Sequence, residues 1–189
     1  PIREVKQINS SCGSSRVLDD ISLSLDRGKA LAIIGSSGSG KTTLQRCLNF
    51  LETPNAGQSI VNGETLFDAA DHSSKSDAEI RKRRLHFGMV FQSFNRCPQY
   101  TALETVMVGG EVGRKSQWGR PVFSLPSGRR EEEEIRGKAK GLIHRLALDA
   151  YRNEKASSLP YGAQRRLEIA RALATSPDFL LLDEPAAGM

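Results

Sequence analysis

The chain has 189 residues, enough for one domain with a subdomain and a real apolar core. Lys and Arg outnumber Asp and Glu 27 to 22, a net charge of +5 that is dispersed and broken by acidic residues, as where Arg129-Arg130 meets Glu131 to Glu134, which fits a solvated surface better than a nucleic-acid stripe. Cys12, Cys47 and Cys97 are odd in number without C-x-x-C spacing, and His72, His86 and His144 are equally scattered, which predicts a reducing compartment and disfavours a metal centre; no apolar run reaches membrane-spanning length and no signal-peptide pattern is visible, so any membrane role is peripheral.

The opening segment reads as small antiparallel strands. Val17, Ile21, Leu23 and Leu25 lie in a β-rich run, and Asp26-Arg27-Gly28 supplies a turn. Ala30-Leu31-Ala32-Ile33-Ile34 is a short unbroken apolar run, which predicts a buried parallel strand. Residues 42–51 predict a helix with Leu44, Cys47, Leu48 and Leu51 on one face. Ser59-Ile60-Val61 followed by Asn62-Gly63 predicts a strand entering a tight hairpin. Residues 68–77 read as an exposed loop, 78–85 as a short basic helix and 86–91 as a strand, after which Gln92-Ser93-Phe94-Asn95 breaks the pattern. Thr101-Ala102-Leu103-Glu104 fits a capping box opening a helix.

Residues 109–128, rich in Gly, Ser and Pro, read as a loop. From Arg129 onward, Ile135, Ala139, Leu142, Ile143 and Leu146 share a helical face, with Glu131 to Glu134 near the N-terminal end where the macrodipole favours them. A turn at Leu159-Pro160-Tyr161-Gly162 leads to a helix over 163–175 that Pro177 ends, and Phe179-Leu180-Leu181-Leu182 predicts a second buried strand. There is no internal repeat. The chain starts at Pro1 and stops at Met189 just beyond that strand and an acidic pair, as expected of a fragment.

Between the first apolar run and its helix stands Gly35-Ser36-Ser37-Gly38-Ser39-Gly40-Lys41-Thr42, a complete phosphate-binding loop in its proper strand–loop–helix context. The glycines let backbone N–H groups curl around phosphates, and the helix N-terminus faces the anion. Lys41 then reaches the β- and γ-phosphates of a bound nucleotide, and the Thr42 hydroxyl is placed to ligate Mg²⁺. Asp183-Glu184 closes the second apolar strand. A carboxylate there, behind a phosphate loop, completes the Mg²⁺ site, and its neighbour Glu184 is the natural general base or water-orienting group.

Four elements, the phosphate loop at Gly35 to Thr43, Gln92, the turn Leu159-Pro160-Tyr161-Gly162-Ala163-Gln164-Arg165-Arg166 and Leu180-Leu181-Leu182-Asp183-Glu184-Pro185, occur in the order of the ATP-binding cassette (ABC) family, which the chain resembles over nearly its whole length. The resemblance implies an α/β P-loop NTPase of the ABC type: a parallel-sheet core with an antiparallel β subdomain and an inserted α-helical subdomain. It implies an ATP-binding core over 1–92, a helical subdomain over 93–166 and a return to the core over 167–189. By resemblance Gly35, Ser36, Ser37, Gly38, Ser39, Gly40, Lys41, Thr42 and Thr43 bind ATP, and Gly162 of the signature turn meets the nucleotide of a partner cassette. Thr42, Gln92 and Asp183 serve Mg²⁺, while Glu184 and Gln92 serve catalysis.

The residues around the loop and Met89-Val90-Phe91-Gln92 resemble importers of polar amino acids. Those around Leu159-Pro160-Tyr161-Gly162 and Asp183-Glu184-Pro185 resemble importers of branched-chain ones. The expected function is the ATP-hydrolysing subunit of a prokaryotic amino-acid importer, peripheral on the cytoplasmic face of the membrane. Its expected partners are a second ATPase subunit, membrane permease subunits and, indirectly, an extracytoplasmic substrate-binding protein, with no nucleic acid. Three departures stand out. Cys12 occupies the place where the family stacks adenine on an aromatic, Pro160 replaces the usual signature Ser, and no histidine stands where the switch histidine is expected. They keep open the alternative of a truncated nucleotide-binding remnant that holds Mg·ATP without productive turnover. An ABC ATPase without membrane partners is a weaker reading, since those usually carry two cassettes.

Overall fold

The computed structural model describes residues 2–12, 15–71, 76–90, 99–112 and 126–183. They divide into two compact units, Pro1–Arg84 and Leu85–Met189. In the first, β1 (Arg3–Cys12) and β2 (Ser15–Leu25) pair antiparallel; α1 (Lys41–Leu48) follows the phosphate loop; β3 (Ala56–Val61) and β4 (Glu64–Asp68) form a hairpin; and α2 (Asp77–Arg84) completes the unit. The strands make one antiparallel sheet in the order β2-β1-β3-β4.

Burial along β1 follows strand alternation with one interruption. Arg3 and Val5 are buried; Gln7 then takes φ +51 in a bulge, and Ile8 and Ser10 are the next buried residues. The extra residue moves the inward face from odd to even positions, which a regular strand does not allow. Asn62 and Gly63 both have positive φ, the signature of a two-residue turn whose twist matches the flanking strands. The turn at Asp26 is also formed, with Lys29 N–H donating to Asp26 O at 3.1 Å and Gly28 at φ +74. Leu44, Cys47 and Leu48 are the buried face of α1, where burial pushes the pKa of the Cys47 thiol up, with the Ser10 side chain acting against it.

The second unit contains β5 (Phe87–Val90), α3 (Ala102–Val112), α4 (Pro126–Arg145), α5 (Tyr161–Ala174) and β6 (Phe179–Leu182). β5 and β6 are parallel, in register from Phe87 opposite Phe179 to Val90 opposite Leu182, and the two Phe rings stack with centroids 5.6 Å apart. The three helices enclose a core that includes Val106, Ile143, Leu148, Leu159, Leu167 and Ala170. Thr101 and Glu104 form the capping box in full: Thr101 N–H donates to Glu104 Oε2 at 2.8 Å, and Glu104 N–H donates to Thr101 Oγ1 at 3.3 Å. Among the described residues no helix is long and apolar enough to cross a membrane.

Several sequence expectations need correction. Residues 30–34 form no strand: Leu31, Ile33 and Ile34 are 48%, 38% and 93% exposed, and the four named strands of this unit pair antiparallel among themselves. The helix after the loop stops at Leu48, so Leu51 lies beyond it and is exposed. Gly109 and Gly110 stand inside α3 rather than in a loop, and α4 starts at Pro126, before the expected Arg129. A Cβ on Gly109 would come within 2.4 Å of Arg171 O, so this glycine serves a close approach of α3 to α5 rather than ending a helix.

Candidate functional site

The phosphate loop is built by two glycines that no other residue replaces easily. Gly38 and Gly40 take φ +78 and +88, in the left-handed region where a side chain is strained. Gly40 is also crowded, since a Cβ there would sit 2.9 Å from Val17 O and 3.2 Å from Leu18 Cδ2 on β2. Its carbonyl accepts the first helical bond of α1, from Leu44 N–H at 2.8 Å. The loop folds over itself, with Ser39 N–H donating to Ser36 O at 3.2 Å.

Lys41, the first residue of α1, turns back into this loop. Its Nζ donates to Gly35 O at 2.9 Å and to Ser36 O at 2.7 Å, with Ser39 Oγ at 3.5 Å. The ammonium is thus held at the loop rather than in free solvent. The N-terminus of α1 has no side-chain cap and no acidic residue in its first turn. Positive charge, positive-φ glycines and a helix N-terminus without a side-chain cap are what a polyphosphate requires. Thr42 next to Lys41 is exposed, so its hydroxyl is available to a cation on that phosphate.

The remaining predicted residues belong to the second unit or lie outside the described residues. Asp183 follows β6 directly, half-buried, and its N–H donates to Val90 O at 3.0 Å, which extends the parallel pairing to the point where the carboxylate emerges. An oxygen donor at the carboxyl end of a parallel strand suits a hard cation such as Mg²⁺. Gln92 and Glu184 lie outside the described residues.

Gly162 is the second residue of α5, exposed, with nothing within 4 Å of where a Cβ would stand. Pro160 is the N-cap of this helix and offers no side-chain hydrogen bond. Sequence reasoning missed the residue that holds this turn. Gln164 Nε2 donates to Leu159 O at 2.6 Å, and its backbone N–H donates to Pro160 O at 2.9 Å. The signal was an amide side chain one turn inside a helix that lacks a capping hydroxyl.

Comparison with known proteins gives one consistent result. The profile of the ABC transporter family matches residues 18–187. The L-cystine import ATP-binding protein TcyC of Bacillus subtilis is 40% identical over 188 residues, covering 98% of this chain and 68% of that protein. The octopine permease ATP-binding protein P of Agrobacterium tumefaciens is 36% identical over 195 residues, covering all of this chain and 68% of its own length. Among solved structures, the dimeric post-hydrolysis state of the ATP-binding cassette MJ0796 bound to ADP and Pi matches with a TM-score of 0.74 at 28% identity, over 99% of this chain and 75% of that one.

Proposed function

The chain belongs to the ABC transporter family, a family of transport ATPases, and from that premise we propose that it is the ATP-binding and hydrolysing subunit of a prokaryotic amino-acid importer. The observation that carries this reading is the 40% identity to an L-cystine import ATP-binding protein along 98% of the chain. The phosphate loop, with Lys41 turned into it, supports the same chemistry.

In this reading Gly35 to Thr43 cradle the triphosphate and Lys41 Nζ compensates its charge. Thr42 Oγ1, the Asp183 carboxylate and Gln92 would hold Mg²⁺, which would neutralise phosphate charge when bound. Glu184 orients and deprotonates the attacking water. Gly162 and the turn around it face the nucleotide of a second subunit, so that the site is completed in a dimer. Catalysis of this kind rests on positioning and charge stabilisation rather than covalent chemistry. The subunit works at the cytoplasmic face of a membrane against permease subunits, with 1–92 and 167–189 as nucleotide core and 93–166 as the transmitting subdomain. The second reading, binding of Mg·ATP without productive turnover, is favoured by Pro160, which offers no hydroxyl at the signature turn.

The test is binding of a fluorescent ATP analogue to wild type and Lys41→Ala. Charge-assisted contacts of this kind contribute about 1.5–3 kcal/mol, so the variant should bind roughly 10- to 100-fold more weakly. Equal affinities would remove the phosphate-loop assignment. Turnover that survives Glu184→Gln would remove the catalytic one.

A further inference from the structure

Every helix ends with carbonyls that have no partner inside it, and in α1 all four are accounted for. Gln45 O accepts from Asn49 N–H at 3.1 Å. Arg46 O accepts from Leu51 and Glu52 N–H at 2.9 and 3.1 Å, and Cys47 O from Phe50 N–H at 3.3 Å. The fourth, Leu48 O, accepts from Arg3 Nη2 at 2.9 Å, across 45 positions of sequence. Just beyond, Phe50 takes the left-handed conformation at φ +61, and its carbonyl accepts two bonds from Arg84, from Nη2 at 2.7 Å and Nε at 3.2 Å.

Two guanidinium groups, from β1 and from the end of α2, therefore converge on the C-terminal end of the helix that begins at Lys41. Arg3 is 3% exposed, and burial lowers its pKa to about 10, which leaves it charged at neutral pH. A buried cation is expensive unless it has work to do, and an apolar residue would satisfy this strand position at less cost. Both cations also lie at the negative end of the helix dipole. Arg84 is exposed, so its two bonds to Phe50 O are not imposed by burial.

We infer that Arg3 and Arg84 are positioning residues for the phosphate loop: by holding the far end of α1 they fix the direction in which Lys41 and Thr42 meet the bound phosphates. The helix has only eight residues, about 12 Å from end to end, so a tilt at Leu48 is felt at Lys41 within two turns. The inference rests on the phosphate-loop reading above and adds residues distant from the ligand.

The experiment uses the full chain with Arg84→Gln, Arg84→Lys, Arg3→Met and Lys41→Ala, and measures affinity for a fluorescent ATP analogue and for competing inorganic tripolyphosphate, alongside melting temperature. Arg84→Gln should weaken both ligands alike by about threefold to tenfold, since a charged hydrogen bond to the helix end is lost and the base is not involved. Arg84→Lys, which keeps a charged donor, should recover part of that loss. Arg3→Met should act in the same direction; if it fails to fold, Arg84→Gln decides alone, because that side chain is exposed. A lowered melting temperature with both affinities within twofold of wild type would overturn the inference, since a merely structural contact behaves that way. If Lys41→Ala weakens binding and Arg84→Gln does not, the inference alone falls. If Lys41→Ala changes nothing, the phosphate-loop reading falls and takes the inference with it.

Discussion

Replacing Gly40 by Ala isolates the geometry that the phosphate loop depends on. A methyl group at φ +88 is in the left-handed region, which disfavours an L residue by about 1–2 kcal/mol. The same methyl would sit 2.9 Å from Val17 O and 3.2–3.3 Å from Leu18 Cδ2 and Val17 Cγ1, so β2 or the loop must shift. Overpacking of this sort costs about 1–3 kcal/mol. Against these stands a gain of about 0.4–1 kcal/mol from a less flexible unfolded chain. The net expectation is a loss of about 1–4.5 kcal/mol, a large part of a typical domain stability. Gly38→Ala is the control: its φ of +78 carries the same torsional penalty, but nothing lies within 4 Å of the new methyl. Urea unfolding followed by far-UV circular dichroism should give a midpoint for Gly40→Ala well below that of Gly38→Ala, with equal slopes. Equal midpoints would show that the loop does not press against β2, and the steric argument would be refuted.

Cys12→Tyr should restore a stacking surface for adenine and tighten ATP analogues by about 0.5–1.5 kcal/mol while leaving tripolyphosphate unchanged; equal gains for both would place position 12 away from the base. Glu104 is held below its ordinary value of 4.5 by the Thr101 backbone N–H first and the Thr101 hydroxyl second, with Arg136 assisting. Its contribution is therefore present above 4.5 and lost as pH falls through the lower folded value, so the stability gap between wild type and Glu104→Gln should shrink in melts below pH 4.5. A gap that stays constant would mean the capping box does not titrate. Gly109→Ala should destabilise α3 against α5, because a contact of 2.4 Å with Arg171 O outweighs a helix-propensity gain of about 1 kcal/mol. Gly110→Ala, whose nearest neighbour is Ile135 Cγ2 at 3.2 Å, should be close to neutral in the same denaturation assay.

What the sequence made legible was local. The Asn62-Gly63 hairpin, the Thr101–Glu104 box, the basic helix α2 and the helical face of Ala139, Leu142 and Ile143 each depend on residues a few positions apart, and each is present. The strand β6 was also foreseen, with Asp183 at its carboxyl end, although only Phe179 in it is buried and Leu180 to Leu182 are half-buried. What stayed hidden depends on distant neighbours. Gly109 looks like a helix terminator until the backbone of Arg171 is seen beside it. Nothing near Arg3 in the sequence announces that Leu48 O, 45 positions away, accepts its hydrogen bond. Residues 30–34 have the composition of a buried strand, but composition does not supply the partner that pairs with it. For the site, the glycine spacing announced the loop and its lysine. Gln164 remained hidden because its role is to hold a backbone carbonyl rather than to touch a ligand.

The exposed run at 30–34 has a consequence for how this chain behaves in solution. Five apolar residues, two of them the β-branched Ile33 and Ile34, with exposed side chains and a backbone in neither sheet of the described residues, form a template on which another extended chain can align. Arg27 and Lys29, also exposed, stand at its entrance as like charges that repel a second copy approaching in register. Their protection acts through Coulomb repulsion over a distance that shortens from roughly 10 Å at 0.1 M salt to about 3 Å at 1 M. Concentrated salt therefore removes the guard and leaves the sticky segment, so this chain should self-associate more readily at about 1 M salt than at about 0.1 M.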